Sequence, residues 1–557
     1  MHADEARYLR APPLTPGVGL VSPPVEYPVE RFTEEERAAL APYVTNLDRP
    51  VFGLVNLPET VKGALFARYS RYPGTLRRLF LDEFAADLPE DARPFDGAEG
   101  ERAAALYARI FLGYGDDSVA QLGGAHVACE WVSNVMTKML QRGRLAAYLE
   151  QSTRYIAYDA PMPEGAGYRY WRDPTLGPEY ARAMNGLFDT YARSLPVVEA
   201  WADGRFPSAE GEPEAARRRS IRAKALDLLR GLLPAASLSH VGIFASGQAY
   251  EQLLLRLMAS PLPEAREMAA MMLAELKQIM PSFMARVERP DRGGRSVAHL
   301  EERARATQRV AARLGLDARR ARAESAPSVT LLSVQGSEEE LIAALCFEGS
   351  SASEHEARAA VHVLPPDERA TMFAELVGER ENRRHRPGRG FEALRYRFEV
   401  VSDYGAFRDL QRHRMLTVQW QPLTPALGAG VPEELIAAGV AGDYERGLEA
   451  SRTEYERLVE NGLGHVAPYA LCLGYRIRYV LDLNAREAMH LIELRSGREG
   501  HPAYRAVAHE MHAQIAAVHP SVAAAMTHVD RDAEPRLERI LSEIRTHARG
   551  AQVPSAG

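Results

Sequence analysis

The chain carries one stretch twice, and that restricts it to folds assembled from two related halves. Residues 263–285 read PEAREMAAMMLAELKQIMPSFMA, and residues 502–524 read PAYRAVAHEMHAQIAAVHPSVAA. At one offset Pro263 matches Pro502, Arg266 matches Arg505, Met272 matches Met511, Ala274 matches Ala513, Pro281 matches Pro520 and Ser282 matches Ser521. Upstream, Gln141-Arg142-Gly143-Arg144 answers Gln411-Arg412-His413-Arg414. In a fused pair, one copy can lose residues that the other retains.

At 557 residues the chain is too long for one core and suits two or three domains. With 46 % apolar and 26 % charged residues it reads as a soluble globular protein. No uncharged apolar run reaches the ~18 residues of a membrane helix. The opening MHADEARYLRAPPLTPG lacks the basic-then-apolar order of a secretory signal, so a cytoplasmic protein is expected. Cys129, Cys346 and Cys472 sit among apolar neighbours with no CxxC pair, which argues against a zinc site, a disulfide framework or a thiolate nucleophile. A net charge of −7 argues against nucleic acid as partner. Lysine occurs only at Lys62, Lys138, Lys224 and Lys277, so nearly all 68 basic residues are arginine and an RxR triplet alone says little. Glu301–Arg322 reads as a solvated linker helix, because acids interleave and aromatics are absent. His509 and His512 lie three apart but lack a third ligand; a surface helix is expected there, and no metal.

The expected organisation is an extended arm over residues 1–50, a first copy over 51–290, a linker over 291–326, a second copy over 327–545 and a disordered tail. Helical spacing begins near Glu99, and Asp117-Ser118 reads as a cap before a long apolar segment from Gln121 to Leu140. Residues 160–180 and 204–213 read as loop. Helices are expected at 213–231, 248–259 and 263–280, and again at 432–462, 466–495 and 503–518. SVTLLSVQG and FEALRYRFEVVSDYG alternate and read as strands. Helix-rich copies with a few strands each point to an α+β or α/β unit occurring twice.

The two QRxR segments carry the chemistry. The first continues LAAYLEQSTRY to Tyr155, and the second MLTVQWQPLT to Thr424. Here the chain resembles the flavin-dependent thymidylate synthases, whose signature runs R-H-R, two spacers, Ser, a spacer, Asn-Glu, a spacer, Ser, a spacer, Arg. The first copy keeps Glu150, Ser152 and Arg154 but has Gly143 for the histidine, Ala147 for the first serine and Leu149 for the asparagine. The second keeps Arg412-His413-Arg414, with Thr417 and Gln419 as substitutes, then departs at Trp420 and Pro422. A second motif agrees: Asn484-Ala485-Arg486, then His490 and Arg495 on one helix. The first copy has Ser246-Gly247-Gln248 and Leu257 at those places. The family's A-R-x-x-L-P stretch survives as Arg230 to Pro234, whereas Pro468 and Cys472 stand at its arginine and proline in the second copy.

The resemblance implies an α+β fold: two tandem copies of the family fold, each helix-rich with a small, mainly antiparallel sheet, forming an intrachain pseudo-dimer. It implies FAD as cofactor, with NADPH and methylenetetrahydrofolate as co-substrates, and methylation of dUMP to dTMP. It assigns Glu150, Gln151, Ser152, Arg154 and Arg412 to the substrate. It assigns Arg412, His413, Arg414, Asn484, Arg486 and His490 to the flavin, and Arg495 to the uracil ring, where a buried guanidinium stabilises developing anion. One competent composite site per chain is expected, with Arg230 falling on the other, dead side. Family members are homotetramers, so the fused chain is expected as a homodimer imitating one. The rival expectation is a degenerate flavin- or nucleotide-binding relative with a scaffold or regulatory role.

Overall fold

The computed structural model describes residues 8–10, 27–88, 92–93, 95–97, 101–107, 109, 117–162, 167–316, 326–532 and 536–550. The chain divides into two compact units, each drawing on both copies. Unit 1 comprises Met1–Leu195, Leu232–Ala321 and Gly442–Cys472; unit 2 comprises Pro196–Gly231, Arg322–Ala441 and Leu473–Gly557.

An antiparallel pair of strands, β1 (Tyr8–Arg10) and β2 (Pro28–Glu30), comes first. The sheet of unit 1 holds β3 (Val51–Leu54), β4 (Gly124–Ser133), β5 (Ala146–Glu150) and β6 (Leu238–Ser246) in the order β3-β4-β6-β5. That of unit 2 holds β7 (Ser328–Gln335), β8 (Arg395–Asp403), β9 (Leu416–Trp420) and β10 (Arg476–Asn484) in the matching order β7-β8-β10-β9. All pairings are antiparallel. The duplication extends to single hydrogen bonds. Asn134 N–H donates to Ser237 and Val135 N–H to Ala235; in unit 2, Tyr404 N–H donates to Tyr475 and Gly405 N–H to Leu473. The repeated stretch forms helices Pro263–Ile279 and Pro502–Val518, each opened by a proline at its first position, where no intrahelical donor is lost.

Each unit borrows a helix from the other copy's sequence. In unit 2, the borrowed helix Glu214–Leu229 packs against Ile540–Gly550. Its buried Lys224 bonds Glu538 at 2.7 Å, and Asp227 pairs with Arg539 at 3.5 Å. In unit 1, the segment after helix Ala441–Glu460 pairs with main chain of the first copy: Ala235 N–H donates to Leu471 at 2.7 Å and Ala236 N–H to Tyr469 at 3.0 Å. Tyr469 stacks on Trp171 with ring centroids 4.2 Å apart, and its hydroxyl donates to Glu264 at 2.7 Å. Glu264, wholly buried, also accepts from the Ser133 N–H and hydroxyl at 2.7 and 2.6 Å; burial pushes its carboxyl up to about 6.

The free edge of β7 is occupied by a side chain. Gln514 accepts from Leu331 N–H and donates to Val329 C=O, both at 2.7 Å, in the manner of a neighbouring strand.

The two expected strands of the second copy are present as β7 and β8, and the helices at 213–231, 248–259, 263–280 and 503–518 appear within a few residues. Other readings are corrected. The arm contains helix Glu34–Leu40, opened by a capping box at Thr33. Residues 466–495 are not one helix: β10 lies inside them, with Ile477, Tyr479, Leu481 and Leu483 buried at alternate positions before helix Ala485–Arg495 begins. Gln121–Leu140 is largely β4 followed by helix Asn134–Leu140, and the apolar passage before residue 248 is β6. The linker helix runs Arg295–Arg313, and 317–322 of its expected extent lie outside the described residues. Helix Ile540–Gly550 overlaps the expected tail, of which 551–557 lie outside the described residues. His509 and His512 each meet a backbone carbonyl, at 2.6 and 3.1 Å. Among the described residues no helix is long and apolar enough to cross a membrane.

Glu264→Ala removes one acceptor from three buried donors and is expected to destabilise unit 1 by about 2–4 kcal/mol. The midpoint of urea unfolding reads this out. An unchanged midpoint would show that the Ser133–Glu264–Tyr469 node contributes nothing to holding the borrowed segment.

Candidate functional site

In unit 2, helix Tyr404–Leu410, capped by Asp403, delivers Gln411–Arg414 into the turn before β9. Strand β10 ends at Asn484, whose side-chain oxygen accepts Glu487 N–H at 2.9 Å and starts helix Ala485–Arg495. On that helix Glu487 and His490 stand three apart, and Arg495 lies two turns beyond Glu487, so helical spacing turns all three to one side.

These side chains converge on His413, which is buried. Its Nδ1 lies 2.8 Å from Glu487 Oε1, and its Nε2 accepts from Arg495 Nε at 3.0 Å. The His490 ring centroid is 5.3 Å away, and Arg386 Nη2 approaches His490 Nδ1 at 3.5 Å. Burial, then the Arg495 and Arg386 guanidiniums, holds His413 well below the usual histidine range. It is therefore a neutral imidazole with its proton on Nδ1, and its contact with Glu487 is a hydrogen bond rather than an ion pair. His490 is pushed down to about 4, chiefly by burial. Burial raises the Glu487 carboxyl and lowers the Arg495 guanidinium, which lies 5.5 Å over the Tyr504 ring.

Arg230 joins this cluster, which corrects its expected place on the dead side. It belongs to unit 2 and is 3 % exposed. Asp409 binds it at 3.4 Å and Arg412 at 3.7 Å, and Asp403 lies 3.6 Å from it. A Cβ on Gly405 would come within 2.9 Å of Arg230 Nε, so any other residue there would have to displace the guanidinium. The helix exchange thus brings the first copy's arginine to the second copy's RHR turn, while Pro468 lies in unit 1.

A basic loop before β8 was missed by the sequence reading. Arg380 grips Glu493 through both nitrogens at 2.6 Å and also donates to the carbonyls of Ala525 and His385. This clamp fixes a stretch carrying Arg383, Arg384 and Arg386. Arg486 donates to Pro387 C=O at 3.0 Å and so braces the same loop. The only sequence signal was the density of basic residues in ENRRHRPGR, easily dismissed in so arginine-rich a chain.

The predicted residues of the first copy lie in unit 1. Glu150 is buried and bound by Lys138 at 3.1 Å and Gln141 at 2.9 Å. Gln151 donates to Tyr72 C=O at 2.7 Å and accepts from Arg169 at 2.8 Å. Ser152 Oγ accepts the Arg154 N–H at 3.2 Å. Glu150 and Gln151 thus have partners within their own unit. Arg412 and Arg414 are exposed beside buried His413.

His413, Glu487 and His490 are close enough together to hold a metal ion. Both nitrogens of His413 are already bonded, however, and Arg383, Arg386 and Arg495 surround the group. The donor set suits an anion rather than a cation. Guanidiniums outnumber carboxylates around it, a balance that fits the phosphates and carbonyls of a flavin dinucleotide. Cys129 and Cys472 offer no nucleophile, since burial raises both thiols, Cys472 to about 12.

Because His413 is neutral when folded and takes up a proton near pH 6.5 when unfolded, it contributes stability above about pH 6.5 that is lost as pH falls. His413→Gln should flatten the loss between about pH 6.5 and pH 5 by up to about 1.4 kcal/mol per pH unit. Thermal midpoints across that range measure it, and parallel curves for variant and wild type would contradict a neutral, buried His413.

Comparison with known proteins agrees with the duplicated sheet. The Thy1 family, described as thymidylate synthase complementing protein, matches residues 78–282 and again 331–521. A UPF0159 protein of Chlamydia muridarum (strain MoPn / Nigg) is 35 % identical over 534 residues, covering 93 % of this chain and 99 % of the relative. The UPF0159 protein Ta1429 of Thermoplasma acidophilum is 30 % identical over 523 residues, covering 88 % and 99 %. A solved UMP/dUMP methylase, PolB from Streptomyces cacaoi, is 21 % identical with a TM-score of 0.30, covering 38 % of this chain and 100 % of that one, a likeness too slight to bear on activity. Two successive matches over most of the sequence, on two sheets of one topology, mean that the chain belongs to the Thy1 family of flavin-dependent thymidylate synthases and carries its domain twice.

Proposed function

We propose that the protein methylates dUMP to dTMP with FAD, a reduced nicotinamide and methylenetetrahydrofolate, using the cluster around His413 and Arg495. The observation that carries this reading is Arg495: a half-buried guanidinium whose Nε is given to a neutral imidazole, at the end of the helix that the family assigns to the uracil ring.

A bound flavin supplies the hydride chemistry. The chain's own residues bind and orient. Glu487 holds the His413 Nδ1 proton, so Nε2 faces Arg495 as an acceptor and fixes the guanidinium plane. Arg495 then stabilises negative charge on an ionised uracil N3, a Coulomb effect that burial strengthens. Arg230 and Arg412, both on Asp409, supply donors for the nucleotide phosphate. Arg383, Arg384 and Arg386 on the clamped loop, with His413 and His490, are the candidates for the flavin. Ser152 and Arg154 remain candidate phosphate donors on the first copy. A non-catalytic flavin- or nucleotide-binding role is favoured by one observation: Glu150, a substrate ligand by family resemblance, is held by Lys138 and Gln141.

Formation of dTMP by purified protein separates the two readings; flavin binding without product supports the second. Arg495→Ala should lower the turnover number at least about 100-fold while flavin absorbance is kept. Retained turnover removes Arg495 from the reaction. Arg230→Ala should raise the KM for dUMP about tenfold or more, as expected for losing a charged phosphate donor. An unchanged KM would assign Arg230 to packing alone.

A further inference from the structure

The first copy has lost the histidine and the helix-ending arginine that converge in the second, yet its own turn remains strongly basic. Arg142 and Arg144 hold the places of Arg412 and Arg414, and Gly143 that of His413. Helix Gly247–Met258 is the counterpart of Ala485–Arg495. Leu257, at the place of Arg495, is buried in the core. The residue before it, Arg256, reaches the turn instead. Its Nη2 lies 3.7 Å from where a Cβ on Gly143 would stand, and that Cβ would come within 2.7 Å of the Tyr148 hydroxyl. Glycine at 143 thus leaves room for a guanidinium and a phenol at the spot that an imidazole fills in the second copy. Tyr148 closes the turn by donating to Gly143 C=O at 3.2 Å.

Arg256 Nε is buried with no hydrogen-bond partner. Among the described residues no carboxylate pairs with its guanidinium. The ionisable groups acting on it are the Tyr148 phenol and another cation, Arg142, which in turn feels Arg303 from helix Arg295–Arg313. All of these residues belong to unit 1. Desolvated positive charge without an acceptor is costly, and a ligand with several anionic oxygens relieves it.

We infer that the first copy keeps a second, non-catalytic anion site, in which Arg256 binds a phosphate-bearing ligand beside Tyr148, within the positive field of Arg142 and Arg303. The site stands apart from the proposed reaction and does not depend on it.

Calorimetric titration of the full-length protein with inorganic pyrophosphate tests this. Two classes of site are expected in the wild type. Arg256→Met should weaken one class at least about tenfold and leave the other, with Arg230→Ala, which removes a phosphate donor from the second copy's cluster, doing the reverse. Arg256→Met should also keep or raise the thermal midpoint without anion, because it removes uncompensated charge, and should lose much of the rise that pyrophosphate causes. Arg256→Lys, which keeps the charge but not the fork, should bind with intermediate affinity and shows that the fold survives. Competition by dUMP in the Arg230→Ala protein distinguishes a nucleotide phosphate from a free anion, and either result upholds the site. The proposal is overturned if Arg256→Met binds pyrophosphate as the wild type does. It is equally overturned if Arg313→Gln, at the end of the exposed helix, weakens binding as much.

Discussion

Two main-chain hydrogen bonds, from Ala235 to Leu471 and from Ala236 to Tyr469, join strips of chain more than 200 residues apart and set the architecture. They bind a segment of the second copy into unit 1, where Glu264 and Trp171 hold it. The complementary segment, 196–231, is built into unit 2. Because Arg230 sits near the end of that segment, the exchange decides which arginines share a neighbourhood. Asp409 then stands between Arg230 and Arg412, and a triplet that would be an ordinary basic spot becomes part of a dense, ordered cluster.

Within that cluster, neutrality matters as much as charge. An imidazolium between Arg386 and Arg495 would add one more repulsive cation in a desolvated place. Burial and those guanidiniums keep His413 uncharged, and Glu487 selects its tautomer. A neutral acceptor is what lets Arg495 be held without being neutralised by an acid. A carboxylate in the place of His413 would hold the guanidinium more tightly and quench the positive potential that a bound anion requires.

Much of this was legible in the sequence. The repeat predicted two copies, and helices Pro263–Ile279 and Pro502–Val518 match it residue for residue. The alternation in SVTLLSVQG and around Tyr396 and Phe398 marked β7 and β8. Strand β10 was missed although Ile477, Tyr479, Leu481 and Leu483 alternate, because it runs without a break into the helical period of 485–495. The RHR motif and the helix carrying His490 and Arg495 pointed to side chains that do meet around His413. Asn484, read as a cofactor ligand, caps the helix through its side-chain oxygen, and Arg486, read likewise, braces the basic loop. Arg230 was assigned to the wrong side because segment exchange leaves no trace in local periodicity. Lys138 as the partner of Glu150, and the Arg380–Glu493 clamp, depend on pairing across distant sequence that no motif announces.

The side chain of Gln514 along β7 has an effect reaching beyond one chain. A sheet grows by offering unpaired amides and carbonyls to an incoming strand, and here Leu331 N–H and Val329 C=O are already spoken for. Molecules of this protein that meet along this border find two of its positions taken, which breaks the run of free groups that backbone zippering into fibres needs and leaves more of any adhesion there to the fit of side chains.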